Sequence, residues 1–390
     1  MNLLQLASGA ALTLLATCTF AFDNAPLLPR SLANTGDLSR VQQVLAKAQR
    51  GEKVTVAVIG GSITQGAKAS SAGKRYGDLV SAWWRRTFPQ AEITFVNAGI
   101  GATGSDYGAL RAQRDLLSHQ PDFVVAEYSV NDRNTQASAE TLEGLIRQIL
   151  KQPNRPAIAL LFMMHEGGGN AQEWHGKVGA HYALPGVSYR DALWPEIKSG
   201  RLAWNDVMAD GVHPNDLGHA CAAEYVCHLL ETARKAGALP GAIRPLPAPL
   251  LSDVFEKTAL FEAPDLKPLS NAGWMLDPAA KCWSSDKPGS AIEFEVNGGT
   301  TILAMHLVIK RAMGKAKFQV DGGAPVVLDG WFNQTWGGYR STNLLAKELP
   351  PGKHTVRIEL LDSKNPGSDG HEFKLYGLGA ANVATGPSSH

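Results

Sequence analysis

Ser62 follows two glycines in Gly60-Gly61-Ser62-Ile63-Thr64, directly after the apolar run Val54–Ile59. A serine at the carboxyl end of a strand, on a glycine-loosened turn, can turn its hydroxyl into a cleft. A hydroxyl is a weak nucleophile and needs a base. Asp210-Gly211-Val212-His213-Pro214 offers one. Its imidazole can take the serine proton and hand it to a leaving alcohol. A carboxylate three residues earlier can fix the ring tautomer and stabilise the imidazolium. Asn131, in Ser129-Val130-Asn131-Asp132, carries an amide able to donate to a developing oxyanion, and the small-residue loop Asn97 to Ser105 exposes backbone N–H groups that can do the same. Each segment alone also fits an ordinary loop: a Gly/Ser turn, an Asp-capped turn with a packed histidine, an Asn-Asp turn. The serine segment is not the Gly-x-Ser-x-Gly elbow, because Thr64 stands where the second glycine belongs.

The loop also spells Gly-x-Gly-x-x-Gly at Gly99, Gly101 and Gly104, with Glu127 near where a ribose-binding acid falls. A dinucleotide site needs that motif after the first strand of its unit, yet Val54–Ile59 precedes it. That reading also leaves Ser62, Asn131 and the Asp210–His213 pair without a role. His165, His175 and His181 cluster in sequence, but their spacings match no common zinc motif, so they are read as rim or internally satisfied polar groups. His219, at the start of the last helix, is read as structural. No metal or organic cofactor is implied.

The elements that must position these groups alternate. Val54–Ile59, Ile93–Val96, Phe123–Ala126, Ala157–Phe162 and a short Val187-Ser188 read as strands. Asp78–Arg86, Ala109–Ser118, Glu140–Leu150 and Asn215–Ala236 read as helices. Uninterrupted apolar strands alternating with helices indicate a parallel sheet covered on both faces, with its ligand site beyond the strands' carboxyl ends. Leu239–Leu251 then carries Pro240, Pro245, Pro247 and Pro249, a stiff linker or wrap-around segment. After it come short strands with turn signals at Asn297-Gly298-Gly299, Asp321-Gly322-Gly323 and Pro351-Gly352. The strands expected there are 291–296, 301–309, 315–320, 325–328, 353–361 and 372–378, which make a small antiparallel, jelly-roll-like sandwich. Trp331 to Tyr339 is dense in aromatic residues; with Trp283 these side chains suit either a sandwich core or stacking on sugar rings.

The chain has 390 residues, long enough for two domains, with a formal charge of +1 and no basic tract, so a nucleic-acid partner is not expected. Leu3 to Ala21 is an apolar run closed by Thr19-Phe20-Ala21, which reads as a cleaved signal peptide and places the chain in a periplasm or outside the cell. A lipoprotein reading through Cys18 is disfavoured by Thr17. No later run is long enough for a bilayer. Cys221 and Cys227 sit on different faces of the last helix; buried thiols are favoured for them and for Cys282, with a Cys282–helix disulfide the minor alternative. The expected domains are a signal peptide at 1–21, an α/β domain at 22–238, a Pro-rich linker at 239–252 and a β-sandwich at 253–390.

Taken in order, Gly-Gly-Ser-Ile-Thr, Asn-x-Gly-x-x-x-Thr, x-x-Asn-Asp and Asp-x-Val-His-Pro resemble the four blocks of SGNH (GDSL-like) hydrolases across residues 54–235. The resemblance implies a flavodoxin-like three-layer α/β/α domain. It makes Ser62 the nucleophile, His213 the base and Asp210 its orienting group, with Asn131, the Ser62 N–H and the Gly101–Ala102 loop as the oxyanion hole. Two positions depart from the pattern: Ser129 replaces a glycine, and the oxyanion glycine falls on Ala102 beside Gly101. An exported chain of this kind joined to a sandwich resembles secreted carbohydrate O-acetylesterases, so an acylated carbohydrate is the expected substrate. A lipid or aryl esterase is the alternative within the family. From another class, a carbohydrate-binding protein with a spent site is the alternative, against which the intact Ser62, His213 and Asp210 argue.

Overall fold

Val54–Gly60 is buried at every position, and its side chains divide by parity: Val54, Val56 and Val58 enter one core, Ala57 and Ile59 another. That is the signature of a strand covered on both faces. A computed structural model describes residues 23–236 and 243–383. The expected signal peptide at 1–21, with Cys18, and the linker residues 239–242 lie outside the described residues.

The first half builds one sheet from Leu32–Asn34 (β1), Val54–Gly60 (β2), Ile93–Gly99 (β3), Phe123–Glu127 (β4), Ala157–Phe162 (β5) and Gly186–Ser188 (β6). Its order is β1-β6-β5-β4-β2-β3. β2 to β6 run parallel in the doubly wound order of flavodoxin-like sheets, and β1 adds an antiparallel edge to β6. The helices are Leu28–Ser31 (α1), Ser39–Gln49 (α2), Ser62–Gln65 (α3), Tyr76–Thr87 (α4), Ser105–Asp115 (α5), Gln136–Leu150 (α6), Gln172–His181 (α7), Tyr189–Lys198 (α8), Trp204–Val207 (α9) and Asp216–Lys235 (α10). α2, α4, α8 and α10 pack on one face of the sheet, α5, α6 and α7 on the other. The expected helix 109–118 starts earlier, at Ser105. The expected Asn215 start becomes a cap: its side chain accepts the Gly218 N–H at 3.0 Å.

The second half is an antiparallel two-sheet sandwich. Its strands are Thr258–Glu262 (β7), Pro268–Ala272 (β8), Met275–Asp277 (β9), Cys282–Ser285 (β10), Ala291–Asn297 (β11), Thr301–Val308 (β12), Lys315–Val320 (β13), Val326–Asp329 (β14), Tyr339–Ala346 (β15), Lys353–Leu360 (β16) and Phe373–Ala381 (β17). One sheet runs β15-β12-β17-β10-β9, with β7 also on β17; the other runs β14-β13-β16-β11-β8. Trp283 is buried in this sandwich's core. Cys227 and Cys282 are free thiols, so Cys282 forms no disulfide with the helix.

The sandwich is fused to the α/β layers rather than tethered beside them. Leu303, Met305 and Ala381 join the same core as Leu110 and Ile149. Glu143 on α6 accepts the backbone N–H groups of Leu250, Leu251 and Ser252 at 2.5–3.0 Å, and Arg147 pairs with Glu256 at 2.7 Å with both side chains buried. The Pro-rich segment therefore wraps onto α6, and the sandwich lies over α5 and α6 rather than along the sheet edge.

Candidate active site

Strand order decides where the site forms. β2 lies between β3 and β4, so the chain leaves β2 for one side and later returns to the other, opening a crevice at the carboxyl ends. The loops after β2, β3 and β4 all meet there. Ser62 is the first residue of α3, one residue beyond Gly61. A Cβ on Gly61 would lie 2.0 Å from Asn131 Oδ1, so only glycine lets the β2 and β4 ends approach this closely. The fourth contribution comes from the loop before α10, which carries Asp210 and His213.

These distant segments converge. Ser62 Oγ lies 2.8 Å from His213 Nε2. His213 Nδ1 lies 2.9 and 3.0 Å from the two Asp210 carboxylate oxygens. Asp210 Oδ1 also accepts the backbone N–H groups of Val212 (2.9 Å) and His213 (2.8 Å). Burial alone would raise the Asp210 pKa; the His213 N–H, its ring and the Val212 N–H outweigh that and hold the carboxyl below its ordinary value. An ionised carboxylate is the form that can orient and stabilise an imidazolium. Lys68 Nζ stands 3.9 Å from Asp210 Oδ2, too exposed to contribute much.

Asn131 packs its Oδ1 against Gly61, sealed from solvent, which leaves Nδ2 as the end open to the cleft. Gly101 lies beside the serine: a Cβ there would be 3.9 Å from Ser62 Cβ. A cleft of about 770 Å³ opens next to Asn131 and Ala102 and runs to β12 and β15 of the sandwich; Ser62 and His213 stand beside it rather than in its wall.

Two comparisons match this arrangement. Residues 58–221 match the GDSL-like lipase/acylhydrolase family. The crystal structure of a two-domain esterase (CEX) active on acetylated mannans superposes with a TM-score of 0.84 at 33% identity, covering 92% of this chain and 99% of that one. The chain belongs to the GDSL-like family. It is therefore a carboxylic ester hydrolase. The same CEX esterase co-crystallised with mannopentaose superposes with a TM-score of 0.83, again at 33% identity and with the same coverage. No curated protein matches the chain by sequence.

Within this GDSL-like hydrolase both departures from the family pattern have physical accounts. Ser129, in the glycine position, hydrogen-bonds Glu127 Oε1 (3.2 Å) and the Met163 carbonyl (3.3 Å), giving the fully buried Glu127 a partner. Burial still lifts Glu127 to about 8, with the Asp132 charge adding to it. A side chain sealed in this way cannot reach a ribose, and the glycines lie at the end of β3 (Gly99) and just after it (Gly101 and Gly104), not after the first parallel strand. Ala102, where the family pattern has glycine, keeps a glycine-like backbone: its φ is +54°, a left-handed conformation costing about 1 kcal/mol for a residue with a Cβ.

The histidines separate. His165 is exposed, and its neighbour Glu166 donates its backbone N–H to the Gly211 carbonyl (2.8 Å), so that segment borders the His213 loop. His181 Nε2 donates to the Ala248 carbonyl at 2.8 Å. His219 accepts the Tyr76 N–H on Nδ1 (3.4 Å) and donates from Nε2 to the Ala67 carbonyl (3.1 Å), consistent with a structural role. His175 is buried against Asp132.

Sequence reasoning missed Arg111 and Asp132. Arg111 is fully buried on α5, pairs with Asp115 at 3.1 Å, and donates to the Gly60 carbonyl (3.2 Å) and the Tyr128 hydroxyl (3.1 Å), pinning the strand end two residues before Ser62. A lone arginine in a helix offers no signal for this; only the register of β2 against α5 reveals it.

Proposed function

We propose that the chain is a secreted serine esterase that removes O-acetyl groups from carbohydrate. The observation that carries this is the 2.8 Å approach of Ser62 Oγ to His213 Nε2, with Asp210 behind the ring, in a crevice at the strands' carboxyl ends. Ser62 Oγ attacks the ester carbonyl carbon as His213 Nε2 takes its proton. The amide of Asn131 and backbone N–H groups of Ser62 and the Gly101–Ala102 loop donate to the oxyanion. The tetrahedral adduct collapses, the sugar oxygen leaves with the proton from Nε2, and the acyl group stays on Ser62. Water, deprotonated by the same nitrogen, attacks the acyl-serine, and acetate departs as the proton returns to Oγ.

The carbohydrate assignment rests on the CEX likeness and on the cleft beside Asn131. On the sandwich, Trp336 is 56% exposed and stacks on Tyr339 with centroids 5.6 Å apart, beside Phe332. Tyr339 lines the cleft, and this aromatic group offers flat faces to sugar rings. The export reading rests on the apolar run at 3–21.

Acetate release from acetylated mannan and acetylated xylan, measured beside hydrolysis of long-chain aryl esters, tests the reading. The expected result is release from an acetylated polysaccharide that Ser62→Ala abolishes. Preference for the long-chain esters would replace it with a lipid esterase, and polysaccharide binding without any release would leave a binding protein.

A further inference from the structure

Behind the oxyanion loops lies a carboxylate with no part in the reaction steps above. Asp132 follows Asn131, and both donate their backbone N–H to the Tyr128 carbonyl, at 2.9 and 3.0 Å, so the two side chains are set by one tight turn at the end of β4. The Asp132 side chain is 4% exposed. Its Oδ1 accepts the backbone N–H of Ser105 at 2.8 Å. Ser105 is the first residue of α5, and α5 begins where the Gly101–Ala102 loop ends. The bond is therefore a carboxylate capping a helix N-terminus from another strand's loop, a charge-assisted contact stronger than a neutral one. On the other side, His175 Nε2 on α7 comes within 3.1 Å of Oδ2, off the line of a directed hydrogen bond.

Two further facts show that the site is built around this contact. A Cβ on Gly104 would lie 2.7 Å from Asp132 Oδ1 and 3.0 Å from Asp106 Oδ1, so residue 104 must be glycine for the carboxylate to reach Ser105. The loop it anchors also holds Ala102 at a φ of +54°, and a strained residue persists only where its surroundings over-determine it.

We infer that Asp132 is a positioning residue that fastens the loop carrying Gly101 and Ala102 to the strand end carrying Asn131, so that donors from both loops stay aligned on one oxyanion. The inference rests on the proposed serine-esterase reading. It predicts that Asp132 acts through the oxyanion donors and not through general stability.

The test is a double-mutant cycle on the full chain, read as acetate release with kcat and KM separated and thermal unfolding followed alongside. Asp132→Ala should lower kcat about 30-fold with little change in KM, and this penalty should shrink to about threefold or less in an Asn131→Ala background. Asp132→Asn, which keeps an oxygen to accept the Ser105 N–H, should restore most of kcat. If Asp132→Ala does not fold, Ser105→Pro takes its place. Proline suits the first position of a helix, and Gly104, at φ −88° and ψ −178°, already has the extended conformation that precedes a proline. Ser105→Pro removes the N–H and displaces the carboxylate, and should reproduce the loss of kcat. Ser105→Ala keeps the N–H and reports separately on the hydroxyl, which lies 2.5 Å from Thr141 Oγ1. An undiminished Asp132 penalty in the Asn131→Ala background, or native kcat in Ser105→Pro, would overturn the inference while leaving the esterase reading intact. If instead Ser62→Ala keeps acetate release, the serine reading itself fails.

Discussion

Each half of the molecule holds an Asp–His pair, and the two differ in what the second ring nitrogen meets. In the α/β layers, Asp210 holds His213 Nδ1 at 2.9 Å, and Nε2 meets the Ser62 hydroxyl. In the sandwich, Asp321, just beyond β13, holds His354 Nδ1 at 2.6 Å, but Nε2 meets the Gly299 carbonyl at 3.0 Å. Both carboxylates lie below their ordinary pKa, because hydrogen bonds outweigh the opposing effect of burial. His354 is buried with both nitrogens on acceptors, so neither can take a proton from a hydroxyl. The carboxylate–imidazole contact is thus common to a site and a fastener. A hydroxyl on the far nitrogen and a ring that is part-exposed rather than sealed make the difference.

The largest effect should follow from breaking the first pair. His213→Ala and Ser62→Ala should each lower kcat on the order of 10⁴-fold or more while the unfolding midpoint stays near that of the parent. His354→Ala, assayed for the same acetate release, should leave kcat unchanged. A large activity loss there, in a protein that remains folded, would erase the distinction. Next in size is Asn131→Ala, expected to cost about 10²–10³ in kcat with a smaller change in KM, the pattern of a donor that acts when charge develops on the oxygen. Equal loss in KM and none in kcat would make Asn131 a ground-state contact. His354→Ala should instead register in stability. Removing a buried ring that bridges the β13 end to the Gly299 turn should cost about 1–3 kcal/mol by denaturant unfolding.

The same contrast explains what the sequence could reveal. Ser62, Asn131, Asp210 and His213 were legible because each sits at a strand end or just before a helix, and because the four occur together in one order. β2, β4 and β5 were legible because strands covered on both faces are uninterrupted apolar runs. The sandwich was read less well. β8 begins with a proline and exposes four of its five residues, and β9 has three residues with two exposed, so neither shows an alternating pattern. β15 is half-buried along most of its length because it is the edge strand of its sheet and residues 339–344 border the cleft. β1 was missed for a similar reason, as a three-residue antiparallel edge. Asp132 was seen only as half of an Asn-Asp turn, since its bond to Ser105 spans 27 residues and depends on where β3 and β4 place their loops. The left-handed Ala102 was hidden because an alanine carries no sign of positive φ.

The smallest predicted effect sharpens the comparison by asking what a carboxylate needs in order to stay charged. Asp210 has two backbone N–H groups and an imidazole, and its pKa falls. Asp106 is half-buried, accepts the Tyr107 N–H at 2.7 Å and faces Asp132 across Gly104, and it rises to about 7, chiefly through desolvation and then through the Asp132 charge. With a folded pKa above the unfolded value of 3.8, Asp106 keeps a proton in the native state that the unfolded chain has already released. Its contribution to stability therefore falls as pH rises from about 4 to about 7 and then levels off at a deficit. Asp106→Asn has no proton to lose. The variant and the parent should unfold at similar temperatures near pH 4, and the variant should gain about 2–4 °C over the parent by pH 8. A constant difference between the two across that range would mean that Asp106 ionises as freely as a surface carboxylate.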